Sequence, residues 1–166
     1  ELQIPFSEPM ADGPVILKAN QKAIEGGSTV QGCFDFAKRV AQDFSIPFLF
    51  MSYANILYKY GMEPFSDQMK NINLKGAIVP DLPPEEGKDY LAAMAKNNLA
   101  PIYIFSPETS DARMAYISTF AQGFVYCLAR KGVTGKTTCF SQDLTRYLER
   151  CRKATNLPLA VGFGVK

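Results

Sequence analysis

The stretch that decides the fold runs from Gly76-Ala-Ile-Val-Pro-Asp81 to Pro101-Ile-Tyr-Ile-Phe-Ser106, with a helical pattern over Glu85–Asn97 between them. Both ends are short apolar runs of the kind found in strands buried on both faces. Two glutamates after a Pro-Pro pair favour a helix N-terminus, and Asn97-Asn98 supplies a stop. Strand, helix and strand in this order predict one unit of a parallel sheet.

The same alternation continues on both sides of this unit. A second amphipathic helix is predicted over Asp111–Ala121, with Asp111 as its N-cap. Further strands are predicted at Glu1–Ile4, Phe48–Tyr53, Phe124–Ala129 and Leu159–Val165. Together they give about six strands, and polar or small residues end nearly all of them, as in the active-site edge of a (β/α)8 TIM barrel. A doubly wound open sheet fits the order of elements nearly as well, but it concentrates its site at one switch point.

The composition indicates one soluble globular domain over residues 1–166. The chain is 47% hydrophobic with a net charge of +2, and its Lys and Arg residues are scattered, so nucleic acid is not expected as a partner. The most apolar stretch, Ile46–Leu57, is interrupted by Ser52 and Asn55 and is too short to cross a membrane. No metal site is expected, because the sequence contains no His and no Cys-x-x-Cys spacing. The four cysteines are therefore interpreted as reduced thiols of a cytoplasmic protein: Cys33, Cys127, Cys139 and Cys151.

Two carboxylates, Glu1 and Asp12, are the best candidates for catalysis. Glu1 belongs to an apolar strand, and Asp12 lies in the stiff loop Pro5-Phe-Ser-Glu-Pro-Met-Ala-Asp-Gly-Pro14. Without His, acid/base chemistry near neutral pH falls to Glu, Asp, Lys, Tyr or Cys. The competing interpretations are an exposed chain end for Glu1 and a turn-forming residue before Gly13 for Asp12. Neither explains why both flank such a proline-rich segment.

Two glycine motifs carry little weight alone. Gly132-Val-Thr-Gly135-Lys-Thr137 ends like a phosphate-binding P-loop, but Arg130 occupies the position of the first required glycine. Gly162-Phe-Gly164 begins like a dinucleotide fingerprint without a testable third glycine. Glycines after a late barrel strand also let backbone N–H groups approach a phosphate.

The chain resembles the tryptophan synthase alpha subunit family. The loop over residues 5–14 closely matches that family's active-site signature. Four further segments occur in family order: Met51-Ser-Tyr53-Ala-Asn55, Asp81-Leu-Pro-Pro-Glu-Glu86, Gly132-Val-Thr-Gly135 and Val161-Gly-Phe-Gly164. The resemblance covers the whole chain and implies a barrel of the ribulose-phosphate-binding type, truncated at both ends relative to a full barrel.

The resemblance also implies a reaction. It is the retro-aldol cleavage of indole-3-glycerol phosphate to indole and glyceraldehyde 3-phosphate in the last steps of L-tryptophan biosynthesis, without a cofactor. Glu1 matches the general acid/base and Asp12 the residue that accepts a hydrogen bond from the indole N–H. Substrate-contacting positions are matched by Met51, Tyr53, Ile78, Ile104, Tyr126, Thr134, Gly135, Phe163 and Gly164. For Tyr53 and Tyr126 core packing is the alternative, since aromatic residues in apolar strands usually pack in the core.

The family's partner is a beta subunit that carries pyridoxal phosphate and forms an alpha2beta2 heterotetramer. By resemblance, the loop Pro5–Asp12 lies at that contact, although Glu8 stands where the family commonly has Asp. Two other functions stay open from the sequence. One is a catalytically impaired alpha-type subunit that binds and regulates a beta partner. The other is a different phosphate-binding barrel enzyme, for which the Pro-Phe-Ser loop has no role.

Overall fold

Six parallel strands form one sheet in the computed structural model, which describes residues 1–129 and 142–162. The strands are β1 (Leu2–Gln3), β2 (Phe50–Met51), β3 (Gly76–Ile78), β4 (Ala100–Phe105), β5 (Val125–Leu128) and β6 (Leu159–Gly162). Each strand pairs with the next one in the chain, so the sheet order is the sequence order. A doubly wound sheet would reverse this order at a switch point. The predicted barrel, present as an incomplete one of six strands, is therefore confirmed, and the open-sheet alternative is wrong.

Helices fill every connection between consecutive strands. They are α1 (Pro14–Glu25), α2 (Val30–Asp43), α3 (Ala54–Tyr60), α4 (Met62–Asn71), α5 (Lys88–Lys96), α6 (Asp111–Ser118) and α7 (Gln142–Ala154). Crossover helices are needed because the end of one parallel strand is remote from the start of the next. In the described ranges every helix is too short or too polar to span a lipid bilayer.

Two helix starts differ from the sequence prediction. Helix α5 begins at Lys88 rather than Glu85, because the residues after the Pro-Pro pair form turns in which the amides of Glu86 and Gly87 donate to Pro83 and Pro84. The N-cap of α6 is Ser110 rather than Asp111, since the Ser110 hydroxyl accepts a hydrogen bond from the Arg113 amide at 3.2 Å. The predicted stop at Asn97 is confirmed: it caps α5, and Asn98 follows with a φ of 55°.

The two faces of the sheet contribute to two different apolar clusters. Side chains alternate between the faces of a strand. Phe50 and Ala77 pack against the helices, whereas their neighbours Met51 and Ile78 pack on the inner face of the sheet with Ile102. Burial on both faces is what the continuous apolar runs predict. The free thiols Cys33, Cys127 and Cys151 also fit the prediction, and Cys139 lies outside the described residues.

Candidate active site

The carboxylate of Asp12 is held by one donor in β1 and one donor just after the neighbouring strand β2. The Gln3 side-chain amide donates to Asp12 Oδ2 at 2.7 Å, and the Tyr53 hydroxyl donates to the same oxygen at 2.9 Å. The loop itself turns here, because the Asp12 amide donates to the carbonyl of Pro9 at 3.0 Å. The turn-forming and functional interpretations of Asp12 are thus compatible: the turn brings the carboxylate to the ends of β1 and β2.

Tyr53 ties the loop to the sheet. It is fully buried, its hydroxyl accepts a hydrogen bond from the Ala11 amide at 3.2 Å, and its ring stacks on Phe6 with centroids 5.1 Å apart. Burial, followed by the hydrogen bond to Asp12, raises the pKa of the Tyr53 hydroxyl above its ordinary value. The hydroxyl therefore keeps its proton and acts as a donor to Asp12.

Glu1 lies beside an apolar cavity on the inner face of the sheet. Leu2 and Ile4 pack into the core between the sheet and the helices, so the period of two in a strand directs Glu1 and Gln3 to the opposite face. Glu1 itself is solvent exposed. The residues that line the cavity are Glu1, Ala11, Met51, Ile78, Ile104, Tyr126 and Leu128.

Tyr126 fits the cavity because residue 162 is a glycine. A Cβ atom at Gly162 would overlap the Tyr126 hydroxyl oxygen and come within 2.8 Å of its Cε1 atom. Burial and then the nearby charge of Glu1 raise the pKa of the Tyr126 hydroxyl, which therefore stays neutral. Glu1 and Tyr126 are close enough to interact electrostatically.

The structure brings together most of the candidate residues that it describes. Glu1, Met51, Ile78, Ile104 and Tyr126 line one cavity. Asp12 is adjacent to it through Ala11, and Tyr53 contacts Asp12 rather than the cavity wall. The remaining four candidates, Thr134, Gly135, Phe163 and Gly164, lie outside the described residues.

Sequence reasoning missed five contributors to this site. Gln3 contacts Asp12, and Phe6 stacks on Tyr53. Ala11 and Leu128 line the cavity, and Gly162 makes room for Tyr126. A usable signal existed for Gln3, because a residue two positions after Glu1 in a strand shares its face. In the sequence, Gly162 belongs to a glycine pair that suggests phosphate binding, and nothing there indicates its contact with Tyr126.

Asp81, which the sequence places at a strand end, lies in the turn after β3 and has a different task. One carboxylate oxygen of Asp81 accepts a hydrogen bond from the Ala54 amide at 2.9 Å, so Asp81 satisfies the first turn of α3 from the neighbouring loop. Within residues 1–129 and 142–162, no group of three or more His, Cys, Asp or Glu side chains is arranged to hold a metal ion.

The arrangement suits acid/base chemistry on a ligand with apolar surface. One carboxylate borders an apolar cavity, where an acid can exchange a proton with a carbon or oxygen of the ligand. The second carboxylate is fixed at one oxygen by two donors and can stabilise positive charge that develops on the ligand. Two carboxylates in unlike surroundings can serve as acid and as stabilising charge.

Comparison with protein families gives a match over the whole chain. The sequence model of the family described as "Tryptophan synthase alpha chain" matches residues 1–166. The tryptophan synthase alpha chain of Desulforapulum autotrophicum is 66% identical over 166 residues, and that of Syntrophotalea carbinolica is 63% identical. In both cases the match covers 100% of this chain and 66% of the relative, so the chain spans slightly less than two thirds of their length.

Solved structures give the same result at lower identity. Tryptophan synthase of Mycobacterium tuberculosis superposes with a TM-score of 0.90 at 30% identity, covering 99% of this chain and 62% of that one. The tryptophan synthase A-subunit of Pyrococcus furiosus has a TM-score of 0.87 at 29% identity, with 98% and 65% covered.

Proposed function

This chain belongs to the tryptophan synthase alpha chain family, and we propose that its complete protein is a lyase that cleaves indole-3-glycerol phosphate to indole and glyceraldehyde 3-phosphate. The reaction would serve the last steps of L-tryptophan biosynthesis. The observation that carries the proposal is the pairing of Glu1, beside the apolar cavity, with Asp12, anchored at the adjacent strand ends by Gln3 and Tyr53.

The chemistry assigns one proton transfer to each stage of the cleavage. Glu1 gives its proton to C3 of the indole ring, which leaves a positive charge spread over the ring nitrogen. Asp12 accepts a hydrogen bond from the indole N–H and stabilises that charge. The Glu1 carboxylate then takes the proton of the side-chain hydroxyl next to C3. The carbon–carbon bond breaks, its electron pair returns to the ring, and indole and the aldehyde are released.

The described residues support the binding of a flat aromatic ring. Met51, Ile78, Ile104 and Tyr126 present apolar surface next to Glu1, and such walls with a few polar groups are typical of small-molecule sites. We assign the substrate phosphate to Gly135 and Gly164, the indole edge to Phe163, and closure over the site to the loop with Thr134. These four assignments rest on the family resemblance.

No cofactor is assigned to this chain, because the mechanism needs only proton transfers and an electron flow within the substrate. We assign pyridoxal phosphate to a beta subunit that receives the indole in an alpha2beta2 assembly in the cytoplasm. The loop Pro5–Asp12 would lie at that contact.

The first test replaces Glu1 in the complete gene product. Glu1→Gln keeps the size of the side chain but removes the exchangeable proton, so indole release should fall by about a hundredfold to ten-thousandfold. Indole formed from indole-3-glycerol phosphate is the readout. Glu25→Gln, on the exposed end of α1, is the matched control and should keep the wild-type rate. A Glu1→Gln enzyme with the wild-type rate would remove the catalytic assignment.

A further inference from the structure

We propose that Gln3 is a positioning residue that fixes the Asp12 carboxylate relative to Glu1. The inference rests on the proposed function, because it concerns how Asp12 is held for the stabilisation of charge on the substrate. Gln3 is half-buried and lies nine residues before Asp12 in the chain, and it contacts the carboxylate through its side-chain amide.

The backbone of β1 gives Gln3 a defined position. The amide of Leu2 donates to the carbonyl of Leu49, and the amide of Ile4 donates to that of Met51, each at 2.9 Å. Ile4 is only 1% exposed and belongs to the core between sheet and helices. Gln3 therefore cannot slide or turn over without breaking the core, and it stays on the same face as Glu1.

The contacts at Asp12 divide its two oxygens. Gln3 and Tyr53 both donate to Oδ2, at 2.7 Å and 2.9 Å, and no donor among the described residues reaches Oδ1. An ionised carboxylate only accepts hydrogen bonds, so the nitrogen of the Gln3 amide must be the group that faces it. Oδ2 is thus the oxygen that the described residues anchor, and we assign the N–H group of the ligand to Oδ1.

Gln3 also couples the positions of the two carboxylates. Its backbone is joined to Glu1 through Leu2, and its side chain is joined to Asp12. Gln3 therefore adds a direct connection between the strand that carries Glu1 and the carboxylate of Asp12, beside the contacts made by Tyr53 and the loop. A glutamine does this without adding a charge next to Glu1, which a lysine at the same position would bring.

Loss of this amide should lower the rate of the chemical step more than substrate binding. Of its described donors, Asp12 would keep only the Tyr53 hydroxyl, about which its carboxylate can rotate. Since a misplacement of about 1 Å can cost roughly a hundredfold in rate, partial loss of anchoring should lower kcat by about tenfold. KM should change by less than about threefold, because the interaction matters most when charge has developed.

The test is Gln3→Met in the complete gene product. This substitution keeps the length of the side chain and removes the amide that donates to Asp12. Gln21→Met is the matched control, because the Gln21 amide also donates to a carboxylate, that of Glu25, at 3.1 Å on the exposed α1. We expect the tenfold loss of kcat for Gln3→Met only. In an Asp12→Ala background, Gln3→Met should cause no further loss, because Gln3 acts through Asp12. Wild-type kcat for Gln3→Met, or the same tenfold loss in the Asp12→Ala background, would overturn the proposal.

Two further measurements keep this test decisive. Thermal unfolding shows whether Gln3→Met folds, and if it does not, Gln3→Asn carries the same expectation with an amide that is one methylene too short to reach Asp12. The proposed function fails if Glu1→Gln and Asp12→Ala both keep wild-type indole release. The role of Gln3 alone fails if those two variants lose indole release while Gln3→Met keeps it.

Discussion

The two ends of the candidate active site differ in the contacts that their side chains make. At the ends of β1 and β2, Asp12 is fixed by directional hydrogen bonds from Gln3 and Tyr53. On the side of β5 and β6, the ring of Tyr126 packs closely against the backbone of Gly162. A carboxylate that keeps one of two donors loses its position by degrees. A ring whose place is taken by another atom must move to a different position, because a close-packed interior leaves no room for a small shift.

The largest effect should come from the packed end, with Gly162→Ala. The added methyl group would occupy the place of the Tyr126 hydroxyl and displace the ring from its position in the cavity wall. Displacement of a site residue by about 1 Å or more should lower kcat/KM for indole release by roughly a hundredfold. The control is Gly32→Ala on the exposed face of α2, which should keep the wild-type kcat/KM. Equal rates for both variants would show that the position of Tyr126 does not matter.

The next effect should come from the hydrogen-bonded end, with Tyr53→Phe. The change removes one of the two donors to Asp12 and leaves the Ala11 amide without its acceptor. We expect kcat to fall by about tenfold and the free energy of unfolding to fall by about 1 kcal/mol. Steady-state kinetics and urea denaturation measure the two quantities.

Tyr60→Phe is the control for this prediction. The Tyr60 hydroxyl donates to the Gln68 side chain at 2.7 Å, far from the cavity. Loss of the Tyr60 hydroxyl should lower the free energy of unfolding and leave kcat unchanged. A Tyr53→Phe enzyme with wild-type kcat would mean that Gln3 suffices to anchor Asp12, and the contrast between the two ends would then rest on Gln3.

The smallest effect on activity should come from Asp81→Ala, in the loop between the two ends. Asp81 accepts a hydrogen bond from the Ala54 amide, and loss of such a helix-terminal acceptor costs about 1 kcal/mol of the free energy of unfolding. The kcat should stay within about threefold of wild type, because Asp81 does not line the cavity. Ser110→Ala, which removes the N-cap of α6, provides a stability change of the same kind for comparison. If the free energy of unfolding in urea were unchanged after Asp81→Ala, this hydrogen bond would not contribute to stability.

The sequence predicts the strands of this sheet well because their signal is local. Apolar runs such as Gly76–Ile78 and Ala100–Phe105 are buried on both faces, and periodicity and composition reveal this without a structure. The sequence predicts the first residues of the helices less accurately. Glu85 and Glu86 favour a helix N-terminus, but turns after Pro83 and Pro84 delay the helix to Lys88. The choice between Ser110 and Asp111 as cap depends on which side chain reaches the Arg113 amide, and both residue types are good caps.

The two candidate carboxylates are evident in the sequence, whereas the hydrogen bonds that hold Asp12 are not. Glu1 and Asp12 stand out because a strand and a proline-rich loop carry them. Gln3 resembles any polar residue of a strand, and Tyr53 resembles an ordinary core aromatic. Their shared contact with Asp12 exists only because β1 and β2 pair in one register.

The sequence by itself determined the alternation of strands and helices and the family. It also singled out Glu1 and Asp12 as the candidate carboxylates. Tertiary structure decided which side chains meet: Gln3 and Tyr53 at one oxygen of Asp12, and Tyr126 against Gly162. The physical reason is that apolar periodicity and turn preference act over a few neighbouring residues. Contacts between strand ends depend instead on the register of distant segments, where a slip of one residue would turn every side chain to the opposite face.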